Sequence, residues 1–165
     1  MNSTATSFNI GDGVGDKQYR AILSFNTANL PDTAVVTRAT LRIRVYGVLV
    51  GNNTPFTWGQ GLRVDVCKGT FGTSVLQLTD FNFNNATNCK LLAGTFGNTP
   101  VNGWYTVNLI STARPKISLT GLTQFRLRFY KDDNDDNAAD YWRFYSGNYA
   151  TVTLRPTLTI EYYVP

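Results

Sequence analysis

From Arg38 to Leu49, apolar and polar residues alternate, and this alternation constrains the fold more than any other feature of the sequence. A period of two residues is that of a β-strand with one buried and one exposed face. The pattern predicts a strand whose buried face carries Ala39, Leu41, Ile43 and Val45. Its exposed face is predicted to carry Arg38, Thr40, Arg42, Arg44 and Tyr46.

The same period recurs along the chain, and turn-forming residues separate the segments that show it. The pattern predicts strands at 62–67, 104–109, 124–130, 141–145 and 156–163, and a largely buried strand at 18–25. The chain contains 14 Gly, 10 Phe and 9 Tyr but one Met, a balance that favours strands and turns over helices. We predict a single all-β domain over residues 1–165, an antiparallel β-sandwich with jelly-roll-like connectivity.

Cys67 and Cys89 are the two cysteines of the sequence. Two cysteines are too few for a four-cysteine zinc site, and their spacing is not that of a Cys-x-x-Cys redox motif. They form either one disulfide or two buried thiols. The polar, Asn-rich segment between them favours the disulfide, because such a segment needs a covalent clamp. A disulfide in turn indicates an oxidising compartment, so we expect an extracellular or cell-surface location.

The sequence contains no histidine, which excludes Ser-His-Asp and Cys-His catalysis and every histidine-based metal site. A glycosidase needs two carboxyl groups that face each other across a cleft. Glu161, the single Glu, falls in the last predicted strand, and most Asp residues cluster in one loop. We therefore predict that the protein is not an enzyme.

Residues 132–140 contain five Asp and two Asn but no Lys or Arg. Calcium takes about six to eight oxygen ligands, and binding it would relieve the repulsion among these carboxylates. The loop is either a solvated acidic turn or a structural calcium site. In the second case Asp12 or Asp16, from the Gly-rich turn 11–16, can add a ligand. The predicted calcium ligands within the loop are Asp132, Asp133, Asp135, Asp136 and Asp140.

Residues 124–130 (QFRLRFY) place Arg126, Arg128 and Tyr130 on the side predicted to face outwards. Arg42, Arg44 and Tyr46 show the same arrangement on the strand 38–49. If the two strands are neighbours, four guanidinium groups and two rings form one basic platform. Guanidinium groups pair with carboxylates and aromatic rings stack on sugar faces, so the platform predicts binding of an acidic polysaccharide. The alternative is that these arginines only keep the strands soluble.

Three tryptophans fall in different surroundings. Trp58 lies in the predicted loop 51–61, where it either stacks on a sugar or packs beneath its own loop. Trp104 and Trp142 lie in predicted strands and are expected in the core.

Three separated segments carry motifs of a known kind: 19–32 (YRAILSFNTANLPD), 34–44 (AVVTRATLRIR) and 144–163, which ends in RPTLTIEYY. Together they resemble the DNRLRE family of extracellular modules. The resemblance implies a jelly-roll-like sandwich found in large bacterial or archaeal surface proteins, with related modules that bind acidic polysaccharides such as alginate. It implies no catalytic residue. The family's first strand is reduced to Ser7–Ile10 here, so we expect a module taken from a larger surface protein. The matching residues are Tyr19, Arg20, Phe25, Leu30, Pro31, Ala39, Leu41, Arg155, Pro156, Leu158 and Tyr162.

The sequence therefore favours a non-catalytic extracellular module that binds a polysaccharide or cell-surface glycan, or mediates adhesion, beside other domains of a surface protein. The alternative is a purely structural stalk or terminal domain, stabilised by calcium and a disulfide and without a ligand. Nucleic-acid binding is not expected, because the net charge of +4 is its only support. Membrane insertion is not expected either, because no apolar run is long enough to span a bilayer.

Overall fold

The computed structural model describes residues 1–131 and 133–165 and is all-β, with three antiparallel sheets and four short 3-10 helices in this range. The 3-10 helices are Pro55–Thr57, Leu78–Phe81, Ser111–Lys116 and Val152–Leu154. The strands are β1 (Ser7–Gly13), β2 (Lys17–Tyr19), β3 (Ala21–Asn26), β4 (Val35–Arg44), β5 (Leu62–Lys68), β6 (Cys89–Thr95), β7 (Trp104–Asn108), β8 (Leu122–Phe129), β9 (Asp140–Tyr145) and β10 (Thr157–Tyr163).

The sheets have the strand orders β2-β1-β9, β10-β4-β7 and β3-β8-β5-β6. One core joins them, because buried residues of all three sheets pack into a single apolar cluster. Leu41 and Ile43 enter it from β4, and Phe125 and Leu127 enter it from β8. The predicted all-β sandwich is confirmed, and the jelly-roll connectivity stays a prediction. No helix among the described residues is long and apolar enough to cross a membrane.

The period-two pattern predicts the buried side of most strands correctly. All of Ala39, Leu41 and Ile43 on β4 are fully buried. The last strand departs from the pattern. Tyr162 falls on the side expected to be buried, yet it is 43% exposed. The register of β10 against β4 shifts between Glu161 and Tyr162, and such a bulge turns the following side chain away from the core.

Several segments differ from the sequence-based strand assignment. β4 ends at Arg44 rather than at Leu49, and β6 was not predicted. The predicted strand 18–25 is interrupted at Arg20, which separates β2 from β3. The first strand is longer than Ser7–Ile10, because β1 continues through Gly13 and pairs with both β2 and β9. Gly11 permits this pairing, since a Cβ there would lie 2.3 Å from the carbonyl oxygen of Asp140.

The predicted disulfide is confirmed between Cys67 on β5 and Cys89 on β6. The two cysteines are directly opposite each other in the strand register, with their Cα atoms 4.0 Å apart. The bond closes the segment 68–88, which contains the 3-10 helix Leu78–Phe81 and the buried side chain of Phe71. A covalent link at the base of this segment restricts its conformations in the unfolded chain and stabilises the fold.

Candidate functional site

The outer face of β4 and β7 carries the most accessible group of predicted ligand-binding residues. Arg44 is directly opposite Trp104 in the strand register, and Arg42 is opposite Thr106. The guanidinium carbon of Arg42 lies 4.6 Å from the centre of the Trp104 ring, and that of Arg44 lies 5.7 Å from it. Two cations therefore share one indole, a contact attractive to each of them. We call Arg42, Arg44 and Trp104 the Arg–Trp face.

The two arginines of the Arg–Trp face keep their hydrogen-bond donors available. In residues 1–131 and 133–165, neither guanidinium forms an ion pair or a hydrogen bond. Arg38, near the start of β4, differs. It donates to Asn108 Oδ1 at 3.3 Å and forms an ion pair with Glu161 at 3.4 Å. The outer side of β4 therefore carries a paired arginine, Arg38, near its start. At its end it carries two arginines that contact Trp104 and have no ion-pair partner among the described residues.

Three tyrosines lie beyond the unpaired end. Tyr46 follows Arg44 by two residues, and its ring centre lies 5.0 Å from that of Tyr145 and 6.1 Å from that of Tyr149. Tyr145 and Tyr149 are 4.5 Å apart. The turn that holds Tyr149 is fixed by Arg155, whose Nε donates to the Tyr149 carbonyl oxygen at 2.6 Å. We call these three rings the tyrosine cluster; all three are half-buried.

Trp104 was expected in the core and is instead on the outer face. Its neighbours Tyr105 and Val107 are the buried residues of β7, at 2% and 3% exposure. The alternation of β7 itself could have shown this, because Trp104 has the opposite parity to both of them. The sequence did not predict that Tyr145 and Tyr149 contact Tyr46, because both are far from Tyr46 in the sequence and no local pattern relates them to it.

Arg126 lies on the side of β8 that faces away from the core, as predicted, but the prediction that it is accessible to a ligand is wrong. Arg126 is only 4% exposed, and its guanidinium forms a two-pronged pair with Asp65 Oδ2, at 3.0 Å from Nε and 2.8 Å from Nη2. Its Nη1 donates to the backbone oxygens of Asp80 and Phe83, at 3.2 and 2.8 Å. The segment 68–88 therefore covers this face of β8, and Arg126 holds it there.

Arg128 and Tyr130, on the same side of β8, are also engaged within the protein. Arg128 Nε lies 3.5 Å from Asp65 Oδ2, and its side chain is 22% exposed. Tyr130 is 48% exposed, with the guanidinium carbon of Arg63 3.9 Å from its ring centre. Arg63 also donates to Gln60. Arg128, Tyr130 and Arg63 therefore already contact other residues of the β5–β8 surface in the absence of a ligand.

The two arginine-bearing strands do not form one platform. β4 pairs with β10 and β7, whereas β8 pairs with β3 and β5. Both strands direct their apolar residues into the same core, so their outer faces lie on opposite sides of the molecule. The predicted set of four arginines and two tyrosines is thereby divided, and only Arg42, Arg44 and Tyr46 remain together.

Trp58 packs with its own loop. It is half-buried beside the 3-10 helix Pro55–Thr57, and its ring centre lies 6.4 Å from that of Phe129. Its indole nitrogen is buried and has no partner among the described residues. The position favours packing over sugar stacking for this residue.

Aspartate side chains gather where the loop after β8 meets the β1–β2 turn. Asp140 is 1% exposed, and its Oδ1 accepts from the backbone N–H groups of Asn52 and Asn53, each at 2.8 Å. Its Oδ2 accepts from Asn134 Nδ2 at 3.0 Å. Asp140 therefore organises two loops with its carboxylate. The described aspartates at this end are Asp12, Asp16, Asp133, Asp135, Asp136 and Asp140.

The other predicted calcium ligands differ in surroundings. Asp133 accepts from Gln18 at 3.1 Å, and the neighbouring Asp133 carboxylate raises the pKa of the fully exposed Asp135. Asp136 accepts from Asn134 Nδ2 at 3.0 Å. Asp132 lies outside the described residues. Across the part of the chain that is described, no three acidic or cysteine side chains converge into a metal site.

A groove of about 870 Å³ runs along β3, away from the Arg–Trp face. Phe8 of β1, Leu76 of the segment 68–88 and Ser24 of β3 line it. Gln124, which also lines it, already donates to Ser24 Oγ at 2.8 Å and accepts from the Phe71 N–H at 2.8 Å. The groove has no stacked arginine pair, so its polar groups offer less to a charged ligand than the Arg–Trp face.

Comparison with known proteins adds no family to this picture, since no family model and no curated protein matches the chain.

Proposed function

We propose that the protein is a non-catalytic carbohydrate-binding module that recognises an acidic polysaccharide through the Arg–Trp face. The observation that carries the proposal is the position of the unpaired guanidinium groups of Arg42 and Arg44 on one indole ring. Contact with the ring restricts each guanidinium without using its N–H groups as donors to another described side chain. Planar donors of this kind bind a carboxylate through two parallel hydrogen bonds.

The tyrosine cluster extends this surface. Arg42 and Tyr46 are four residues apart in the sequence. At the rise of an extended strand this separation corresponds to about 13 Å, a distance longer than one sugar ring. Aromatic edges and hydroxyl groups suit the mixed apolar and polar faces of a pyranose. The combination favours an internal stretch of a polyuronate chain, with carboxylates at the arginines and sugar faces at the tyrosines.

The disulfide supports a secreted or cell-surface location, because such bonds form and persist in oxidising compartments. The resemblance to DNRLRE modules is consistent with this proposal, since some modules related to that family bind acidic polysaccharides. A position beside other domains of a larger surface protein, and a jelly-roll connectivity, belong to the same proposal.

The decisive experiment is a calorimetric titration with oligouronates of defined length, beside neutral glucans and duplex DNA. We expect binding of oligouronates that weakens as salt is raised, and no comparable binding of the neutral chains or DNA. The double variant Arg42→Ala/Arg44→Ala should lose at least tenfold in affinity, since each charge-assisted hydrogen bond contributes about 1.5–3 kcal/mol.

Two control variants make this loss specific to the face. Lys68→Ala removes one positive charge at the exposed end of β5, and Ser24→Trp fills the groove along β3. Both should bind oligouronates as the wild type does. If Lys68→Ala lost as much affinity as the double variant, the effect would be explained by net charge alone. If Ser24→Trp lost affinity, the binding site would be the groove along β3.

A purely structural role is the second candidate. The buried pair of Arg126 and Asp65, together with the disulfide, favours it, because both stabilise the fold and neither needs a ligand. Absence of binding across acidic and neutral glycans would support this candidate and remove the first.

A further inference from the structure

One buried carboxylate beside the loop 133–139, that of Asp12, has a hydrogen-bond partner among the described residues for only one of its two oxygens. Asp12 on β1 is fully buried, at 0% exposure. Its Oδ1 accepts from the backbone N–H of Asp140 at 3.0 Å, whereas its Oδ2 has no hydrogen-bond partner among the described residues. Burying a carboxylate oxygen without a partner is unfavourable by the lost hydration of that oxygen. A proton, a bound cation or a buried water that donates to this oxygen would compensate.

The surroundings of Asp12 are negative. Asp140 is its register partner on β9 and is itself buried, and Asp136 lies close by. Burial is the largest cause that raises the pKa of Asp12, and the charges on Asp140 and Asp136 add to it, while the backbone N–H groups of Asp140 and Asn134 oppose the rise. Among the described residues, the Asn134 N–H does not reach hydrogen-bonding geometry with Asp12 Oδ2. No Lys or Arg is among the described groups that act on this carboxyl. By contrast, the buried Asp65 has Arg126 as its counter-ion.

Neutral oxygen donors are available around the same point. Asn134 Nδ2 donates to Asp136 Oδ2 and to Asp140 Oδ2, both at 3.0 Å, so this amide already bridges two carboxylates. A half-turn about its last bond exchanges the nitrogen for Oδ1. Calcium accepts carboxylate, amide and carbonyl oxygens together with water.

We propose that a calcium ion binds between β1, β9 and the loop 133–139, with Asp12 Oδ2 and the Asp136 carboxylate as its anionic ligands. Asn134 contributes its amide oxygen after rotation, and carbonyl oxygens and water complete the shell. Asp140 keeps its N–H partners and positions the loop. Two carboxylates with neutral oxygens explain why no cluster of three acidic side chains is present among the described residues. Asp12, which the acidic loop alone does not contain, becomes the central ligand, and the exposed Asp135 is not needed.

The test is a calorimetric titration of calcium chloride into chelator-treated full-length protein at pH 7, together with melting curves. The wild type should bind one calcium ion per chain, and its melting temperature should rise with calcium concentration. Asp12→Asn and Asp136→Asn should each weaken calcium binding at least tenfold. In chelator, Asp12→Asn should melt at or above the wild type, because it removes a buried unpaired charge.

Matched controls are Asp32→Asn, in the turn after β3, and Asp135→Asn, in the loop itself; both should bind calcium as the wild type does. The proposal is overturned if calcium leaves the wild-type melting curve unchanged, or if Asp12→Asn binds calcium normally. It is also overturned if acidification alone stabilises the wild type and calcium does not, since Asp12 then holds a proton. Should Asp12→Asn fail to fold, Asp136→Asn, a substitution at an exposed position, decides the matter.

Discussion

The two outer faces of the sandwich begin from the same sequence pattern and end with different roles. On β4, Arg42 and Arg44 alternate with buried residues and remain unpaired over Trp104. On β8, Arg126 alternates in the same way but lies buried under the segment 68–88, bound to Asp65. A period of two tells which side of a strand meets the core, and it does not tell whether the other side is covered by a distant part of the chain.

The sharpest test of this contrast is to remove one arginine from each face. Arg126→Ala removes the closer of the two arginines that pair with the buried Asp65 and leaves only Arg128, whose Nε lies 3.5 Å away. Removing one partner of a buried ion pair destabilises a protein by about 3–5 kcal/mol. Arg42→Ala, at an exposed position, should change the free energy of unfolding by less than about 0.5 kcal/mol. Urea unfolding of both variants measures the two effects. Similar losses in the two variants would abolish the distinction between the faces.

Removing the clamp on the covered face should have the next largest effect. The variant Cys67→Ser/Cys89→Ser should lose about 3 kcal/mol of stability, as expected for a disulfide that closes a segment of this length. The segment 68–88 should also become more sensitive to a protease, which mass mapping of the first cleavage products can show. The opposite face gives the internal control, because cleavage near Trp104 should not increase under the same conditions.

The open face can be tested for geometry as well as for charge. The variant Arg42→Lys/Arg44→Lys keeps both charges but loses the planar donors and most of the stacking on Trp104. Its affinity for oligouronates should fall about three- to tenfold, equivalent to about 0.6–1.4 kcal/mol, and therefore less than in the double alanine variant. An affinity equal to the wild type would mean that the face binds by charge alone.

The smallest expected effect is on the pH dependence of stability. It concerns two buried carboxylates: Asp65 is paired with Arg126, whereas no arginine or lysine is among the described groups that act on Asp12. The folded-state pKa of Asp12 is raised above its usual 3.8 by burial, so the folded protein binds this proton more tightly than the unfolded chain. Its contribution to stability is therefore present below pH 3.8 and is lost as pH rises through the folded pKa. In cation-free buffer, melting temperatures measured against pH should fall less steeply for Asp12→Asn than for wild type over that range. Parallel curves would show that Asp12 does not titrate differently in the folded state.

Local patterns could predict the strands because each strand has one face in the core. The alternation identifies Leu41, Ile43 and Phe125 as buried, and the lone cysteine pair indicates the disulfide. The candidate site depends on which strands become neighbours, and no local pattern contains that information. Tyr145 joins Tyr46 only because residues just after β4 bridge to β9, and Asp12 joins Asp140 only through the pairing of β1 with β9.

The bulge between Glu161 and Tyr162 bears on self-association. β10 is an edge strand, and an unpaired edge is a template on which a second molecule can add its own strand. A bulge bends the strand and interrupts its ladder of hydrogen bonds, so only the stretch 157–161 offers a regular edge. Five residues with a Glu at their end form a poor template for an extended intermolecular sheet. We therefore expect β10 to contribute little to strand-to-strand association. A charge added to this edge, Thr159→Lys, should leave the light-scattering mass of concentrated solutions unchanged.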